Sequence, residues 1–180
     1  MARTVAIGKQ DFEGIISNHC FYVDKTKFIK EWWENGDDVT LITRPRRFGK
    51  TLNMDTVNKF FSVEYAGRGD LFSGLSIWEE EKYRALQGTY PVISLSFANV
   101  NGETYESVRK KINWVLYEQF GAHHLLSMAN EQMDAGDRAL LCKISVDMDE
   151  TAASMSLNLL SRLLMKHYGK KVIILLDEYD

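Results

Sequence analysis

An α/β fold, a parallel sheet flanked by helices, is what this 180-residue sequence predicts, on three observations. Short apolar runs at 39–43 (VTLIT), 90–97 (YPVISLSF) and 172–177 (VIILLD) read as strands. Long stretches of helical periodicity separate them, and strands so spaced pair in parallel with helices on both faces. The two stretches richest in chemistry, RPRRFGKT at 44–51 and DEYD at 177–180, each follow such a run directly. Ligands of parallel sheets sit at the carboxyl ends of strands, so this topology aims both at one edge.

Taken in order, residues 1–20 read as irregular. KTKFIKEWWENG (25–36) places Phe28, Ile29, Trp32 and Trp33 at helical spacing, closed by Asn35-Gly36, and at least one tryptophan is expected in the core. The β-branched run 39–43 reads as a buried strand. After Gly49-Lys50 a helix follows, with Leu52, Val57, Phe60 and Phe61 on one face. Pro91 opens the strand at 90–97, where a missing N–H costs little. Residues 103–121 put Val108, Ile112, Val115, Leu116 and Gln119 on one stripe, with Gly121 as the stop. Helix is expected around LLSMANEQM and RALLCKI between 122 and 146. A long helix follows, capped by Asp147 or Asp149 and ended by Gly169, and then the apolar run with its acidic end.

Composition bounds the function. The chain is 45% hydrophobic, as in globular proteins, and long enough to bury a core. Its net charge of -3 supplies no basic field for nucleic acid, so any such contact has to be local. Cys20 and Cys142 lack metal-ligand spacing and read as buried thiols of a reducing compartment. His123 and His124 read as a solvated helix start. No run approaches the ~20 apolar residues of a membrane span and no secretory signal is visible, so the expected location is cytoplasmic.

Gly49-Lys50-Thr51 is the end of a phosphate-binding loop, although Arg44 stands where G-x-x-x-x-G-K-[ST] has its first glycine. Such a loop works because backbone N–H groups and a helix N-terminus face the anion while lysine adds a point charge. The hydroxyl after the lysine ligates magnesium. A hydrophobic strand ending in Asp177 adds a carboxylate for the metal, and Glu178 one to orient and deprotonate water. Pro45 fixes its own φ and pushes Arg44 toward extended backbone, so the loop takes another rigid path. Arg46 and Arg47 can meet phosphate, an acid such as Asp24, or a partner strand.

The segments FYVDKTKFI, LITRPRRFGKTLNMDTVNKFF, LFSGLSIW, YPVISLSF and VIILLDEYD resemble the AAA-ATPase-like family of prokaryotic proteins, from about Ile7 to the last residue. The resemblance is most specific at 21–29, 41–52 and 172–180. It implies a P-loop NTPase-type sheet, a single domain over 1–180 with a lead-in at 1–38 and a Walker A to Walker B core at 39–180. In that family arginine in place of the first glycine is usual. The implied cofactors are ATP and Mg2+. The implied nucleotide-binding residues are Arg44, Pro45, Arg46, Arg47, Phe48, Gly49, Lys50 and Thr51, with Tyr22 and Asp24 bracing the loop or bordering the nucleotide. Lys50 and Glu178 are the implied catalytic residues, and Thr51 and Asp177 the implied metal ligands.

Members often carry a PD-(D/E)XK nuclease-like domain downstream. A further strand with a polar sensor usually lies between the two Walker strands and comes later in sequence. The fold is therefore expected to be truncated after the Walker B strand, with a central vacancy. Strand exchange or homo-oligomer formation, a shifted strand order, or disorder near 172–180 is the expected response. ATP hydrolysis belongs on this reading to a longer protein, where nucleic acid is also a conceivable partner, and is weak or absent in this chain. The alternative is a non-hydrolysing interaction or nucleic-acid-associated module using the arginine-rich loop.

Overall fold

A computed structural model describes residues 4–43, 45, 47–123 and 133–179. The chain forms two compact units, Met1–Val92 and Ile93–Asp180.

The first unit is helical. α1 (Phe12–Ser17) corrects the expectation of an irregular lead-in: Asp11 accepts from the Gly14 amide at 2.9 Å, and Phe12 and Ile15 are buried. α2 (Lys27–Asn35) ends at Gly36 in the left-handed conformation, as its sequence predicts. α3 (Lys50–Phe61) follows the loop, and 3-10 turns at Val63–Tyr65, Gly69–Phe72 and Ser76–Trp78 lead to α4 (Glu81–Arg84).

The core of this unit is aromatic. Phe60 packs edge-on against Phe61 and Phe72, with ring centroids 4.9 and 5.1 Å away, and Phe12 stacks on Phe72 at 5.2 Å. Trp33 stacks on Phe61 at 5.2 Å, and Trp32 meets the same ring edge-on. Each fully buried Phe contributes roughly 1.5–3 kcal/mol. The end of α3 is sewn to the chain near Tyr90 by three backbone bonds: Gly88 N–H to Phe60 O (2.8 Å), Tyr90 N–H to Phe61 O (2.8 Å) and Val63 N–H to Tyr90 O (2.9 Å).

One charged side chain enters this core. Lys59 is 5% exposed and its ammonium lies 2.7 Å from Asp11 of the α1 cap and 2.7 Å from Asp55 of α3. Asp55 also accepts from the Phe12 amide at 2.6 Å, and the Tyr65 ring lies 5.5 Å from the ammonium.

The segment 39–43 is not a strand. It is irregular, and Val39 (88%), Leu41 (64%) and Ile42 (39%) are exposed. β-branched composition favours a strand only where a neighbouring strand takes up the backbone groups, and the described residues of the first unit offer this segment none.

The second unit holds a two-stranded parallel sheet, β1 (Val92–Ser96) beside β2 (Ile173–Asp177), with Phe97 N–H donating to Asp177 O at 3.0 Å. β2 is thus an ordered strand paired directly with β1. Helices do not enclose it on both faces as expected: Ile174 and Leu176 are exposed.

α5 (Tyr105–Ala122) starts with a capping box of Thr104 and Ser107, α6 (Ala135–Leu141) at Asp134, and α7 (Glu150–Tyr168) at Asp149. Gly169 ends α7 at φ 66°. Ile93, Leu95, Phe120, Leu159, Leu160 and Leu164 are central to the core. α5 runs one residue past Gly121 and His123 is its C-cap, so that histidine ends a helix rather than starting one. Cys142, expected buried, is exposed, while Cys20 is buried as expected. LLSMANEQM lies outside the described residues except for its last methionine, Met133. Among the described residues no helix is long and apolar enough to cross a membrane.

Two predictions follow from this packing. Gly88 has φ 66°, and a Cβ there would lie 2.4 Å from Ala66 Cα. Gly88→Ala therefore lowers stability by about 2–4 kcal/mol, read by urea unfolding. In the ion cluster, the Lys59 hydrogen bond is the main reason the Asp11 carboxyl is held below its usual range. Burial pulls the Lys59 ammonium down, but the contacts it makes as donor to Asp11 and Asp55 outweigh it and leave the group raised. The Asp11 contribution is full above its unfolded pKa of about 3.9 and is lost as pH falls through the lower folded value. The Lys59 contribution is full below about 10.4 and is lost as pH rises through the higher folded value. The melting-temperature difference between wild type and Lys59→Met should accordingly narrow at both pH extremes.

Candidate functional site

The loop before α3 is a tight turn, with Phe48 N–H donating to Pro45 O at 3.4 Å. Arg47 has φ 68° and Gly49 φ 76°, both left-handed. Glycine takes that conformation freely; arginine pays roughly 1–2 kcal/mol for it. Gly49 is the N-cap of α3 and its carbonyl accepts from Asn53 N–H at 2.9 Å. A Cβ at Gly49 would meet nothing within 4 Å, so backbone conformation rather than crowding calls for glycine there. Gly49 has no side chain to cap the helix, and a helix start of this kind attracts anions. Lys50 and Thr51 are its first two residues, each half-buried. Phe48 is exposed. Arg44 and Arg46 lie outside the described residues.

Tyr22 and Asp24 are fastened to the scaffold of the first unit. The Tyr22 ring meets Phe12 edge-on at 5.4 Å, and its hydroxyl lies near the side chain of Thr56 on α3. Burial raises the Tyr22 pKa. Asp24 Oδ1 accepts from Thr26 N–H (2.8 Å) and Oγ1 (2.7 Å), and Oδ2 from Ser76 N–H (2.7 Å) and Oγ (2.5 Å). Thr26 Oγ1 in turn accepts from Ile77 N–H at 3.1 Å. Burial pushes the Asp24 carboxyl up, but the Ser76 and Thr26 bonds outweigh it and hold it below its usual value.

Asp177 ends β2 in the second unit, half-buried, and Glu178 follows it, exposed, with φ 54°. Three non-glycine residues take positive φ among the described residues, His19, Arg47 and Glu178, and two of them lie in the stretches singled out from sequence. Strain of this kind concentrates at functional positions.

The first unit thus carries Tyr22, Asp24, Pro45, Arg47, Phe48, Gly49, Lys50 and Thr51, and the second carries Asp177 and Glu178. Sequence reasoning missed Thr26, Ser76 and Thr56 as partners, and missed Lys59 with its two acids. The i, i+4 spacing of Asp55 and Lys59 beside Phe60 and Phe61 was the available signal. Among the described residues no group of three or more His, Cys, Asp or Glu is placed to hold a metal. A magnesium ion bound with nucleotide needs only one or two protein ligands besides phosphate.

An α/β chain with a glycine-lysine-threonine helix start and an acidic strand end belongs to a recognisable class. This one is a member of the family described as Predicted AAA-ATPase, whose profile matches residues 6–180. A curated relative, described as "Uncharacterized protein in vnfD 5'region" from Azotobacter chroococcum mcd 1, is 28% identical over 179 residues. That match covers 99% of this chain and 29% of the relative, so the chain spans less than a third of the relative's length. No solved structure matches.

The Asp24 geometry yields a prediction. Asp24→Ala leaves the Ser76 and Thr26 donors without their carboxylate and should cost about 1–2 kcal/mol, discounted for its exposure. Denaturant unfolding measures it, and Asp24→Asn should recover only part.

Proposed function

We propose that the chain is a magnesium-dependent ATP-binding P-loop module. Lys50 places its charge on the β- and γ-phosphates, and the Gly49–Thr51 backbone donates N–H groups to them. Thr51 and Asp177 are the residues whose hydroxyl and carboxylate oxygens would suit Mg2+, a hard cation. Glu178 orients and deprotonates the attacking water. Pro45, Arg47 and Phe48 shape the loop, Arg44 and Arg46 add positive charge, and Tyr22 and Asp24 brace the scaffold. In a longer protein hydrolysis would proceed by water attack on the γ-phosphate with ADP as the leaving group, Lys50 stabilising the charge and a bound Mg2+ supplying further positive charge.

The observation that carries this reading is the start of α3 at Lys50 behind a left-handed glycine cap. Family membership and the strained Arg47 and Glu178 support it.

Isothermal titration with Mg-ATP tests it. Wild type should bind, and Lys50→Ala should lose about 100-fold in affinity, the loss of a charge-assisted phosphate contact worth roughly 3 kcal/mol. Equal affinity in the two would remove Lys50 from the site. Salt-sensitive DNA binding that survives Lys50→Ala and fails with Arg46→Ala would favour the interaction module instead.

A further inference from the structure

Among the described residues Lys59 is the one charged residue that is buried, and the proposed chemistry does not use it. Its ammonium joins Asp11, the α1 cap, to Asp55 of α3, and Asp55 also takes the first amide of α1. One turn nearer the loop, Thr56 is fully buried and donates its hydroxyl to Leu52 O at 2.7 Å. Leu52, Asp55, Thr56 and Lys59 follow one another at helical spacing, so a polar rail runs along α3 from the residue after Thr51.

We infer that Lys59 is a positioning residue for the nucleotide site, fixing α3 on α1 so that Lys50 and Thr51 are presented in one pose. This rests on the Mg-ATP reading above. Aromatic packing around Phe60 and Phe61 holds the far end of α3 through edge-on and stacked rings, but it places no polar group at the α1 contact. The 2.7 Å ion pair of Lys59 with Asp11 and the 2.6 Å bond from Phe12 N–H to Asp55 cross from α3 to α1 at fixed positions, while the Lys59–Asp55 bonds within α3 hold the ammonium in place for them. Burying an ammonium, even against partly exposed carboxylates, is a poor way to gain stability, since an apolar side chain of similar size often does as well; setting register is the best-attested use of such a charge. Lys59 is nine residues after Lys50, about 13 Å along the axis, and a helix transmits a shift at one end rigidly to the other.

The test uses the full chain with Mg-ATP as probe, by titration and by thermal unfolding with and without ligand. Lys59→Met should stay folded by circular dichroism, bind Mg-ATP about tenfold more weakly, and show a smaller ligand-induced rise in Tm. Lys59→Arg should recover part of the loss. A variant whose Tm falls equally with and without ligand, at unchanged affinity, would mean a structural role only and overturn the inference. If Lys59→Met does not fold, Asp11→Asn keeps the helix cap but weakens the ion pair; it should lower affinity severalfold, and unchanged affinity overturns the inference. Wild type binding while Lys50→Ala does not, with Lys59→Met equal to wild type, sinks the positioning role alone. Failure of wild type to bind sinks both.

Discussion

The seat of α3 is the constraint on which the first unit is built. Its last turns bury Phe60 and Phe61 among Phe12, Phe72 and Trp33, and three backbone hydrogen bonds tie its end to residues 88–90. The other end begins at Lys50, so whatever holds the aromatic end also aims the basic one. Elements that look unrelated in sequence serve this seat. α1 supplies Phe12 and the Asp11 carboxylate, and the segment around Tyr22 supplies a ring and a hydroxyl.

The YVDKT stretch gains a physical meaning from this. Tyr22 faces α3 while Asp24 gathers Thr26 and Ser76, so a short irregular segment is held by hydrogen bonds instead of regular structure. A carboxylate with four internal donors has little spare capacity for an arginine. The second unit is built differently, from leucine-rich helix packing beside a sheet of two strands. There Asn113 donates to Val146 O and Met148 O and fastens the turn before α7, while its buried Oδ1 has no partner among the described residues.

Arg47 and Glu178 show how a backbone can be costly where chemistry is expected. Both take conformations suited to glycine, one beside Gly49 and one directly after Asp177. Such geometry persists when surrounding contacts over-determine it. At Arg47 the Phe48–Pro45 turn and the left-handed Gly49 cap fix the chain on the following side; at Glu178 the hydrogen bond from Phe97 fixes the Asp177 carbonyl just before it.

Much of the local structure was legible in the sequence, because it depends on neighbours a few residues apart. The period of α2 and α7, the glycine stops at Gly36 and Gly169, the Asp149 cap and the helix after Gly49-Lys50 are all of this kind. So is the strand ending in Asp177. Residues 39–43 were not legible, since strand propensity is a statement about a surface to pair with, and the described first unit provides none. α1 was missed although its Asp11–Gly14 cap is local, because what seats it, the Asp11–Lys59 ion pair and the Phe12 N–H to Asp55 bond, joins distant parts of the chain. The sequence by itself determined the helical periods, the caps and the residue types available to hold phosphate and metal. Only tertiary structure decided which strands pair, which lysine is buried and what Asp24 touches, because these turn on contacts between distant segments whose burial no local pattern encodes.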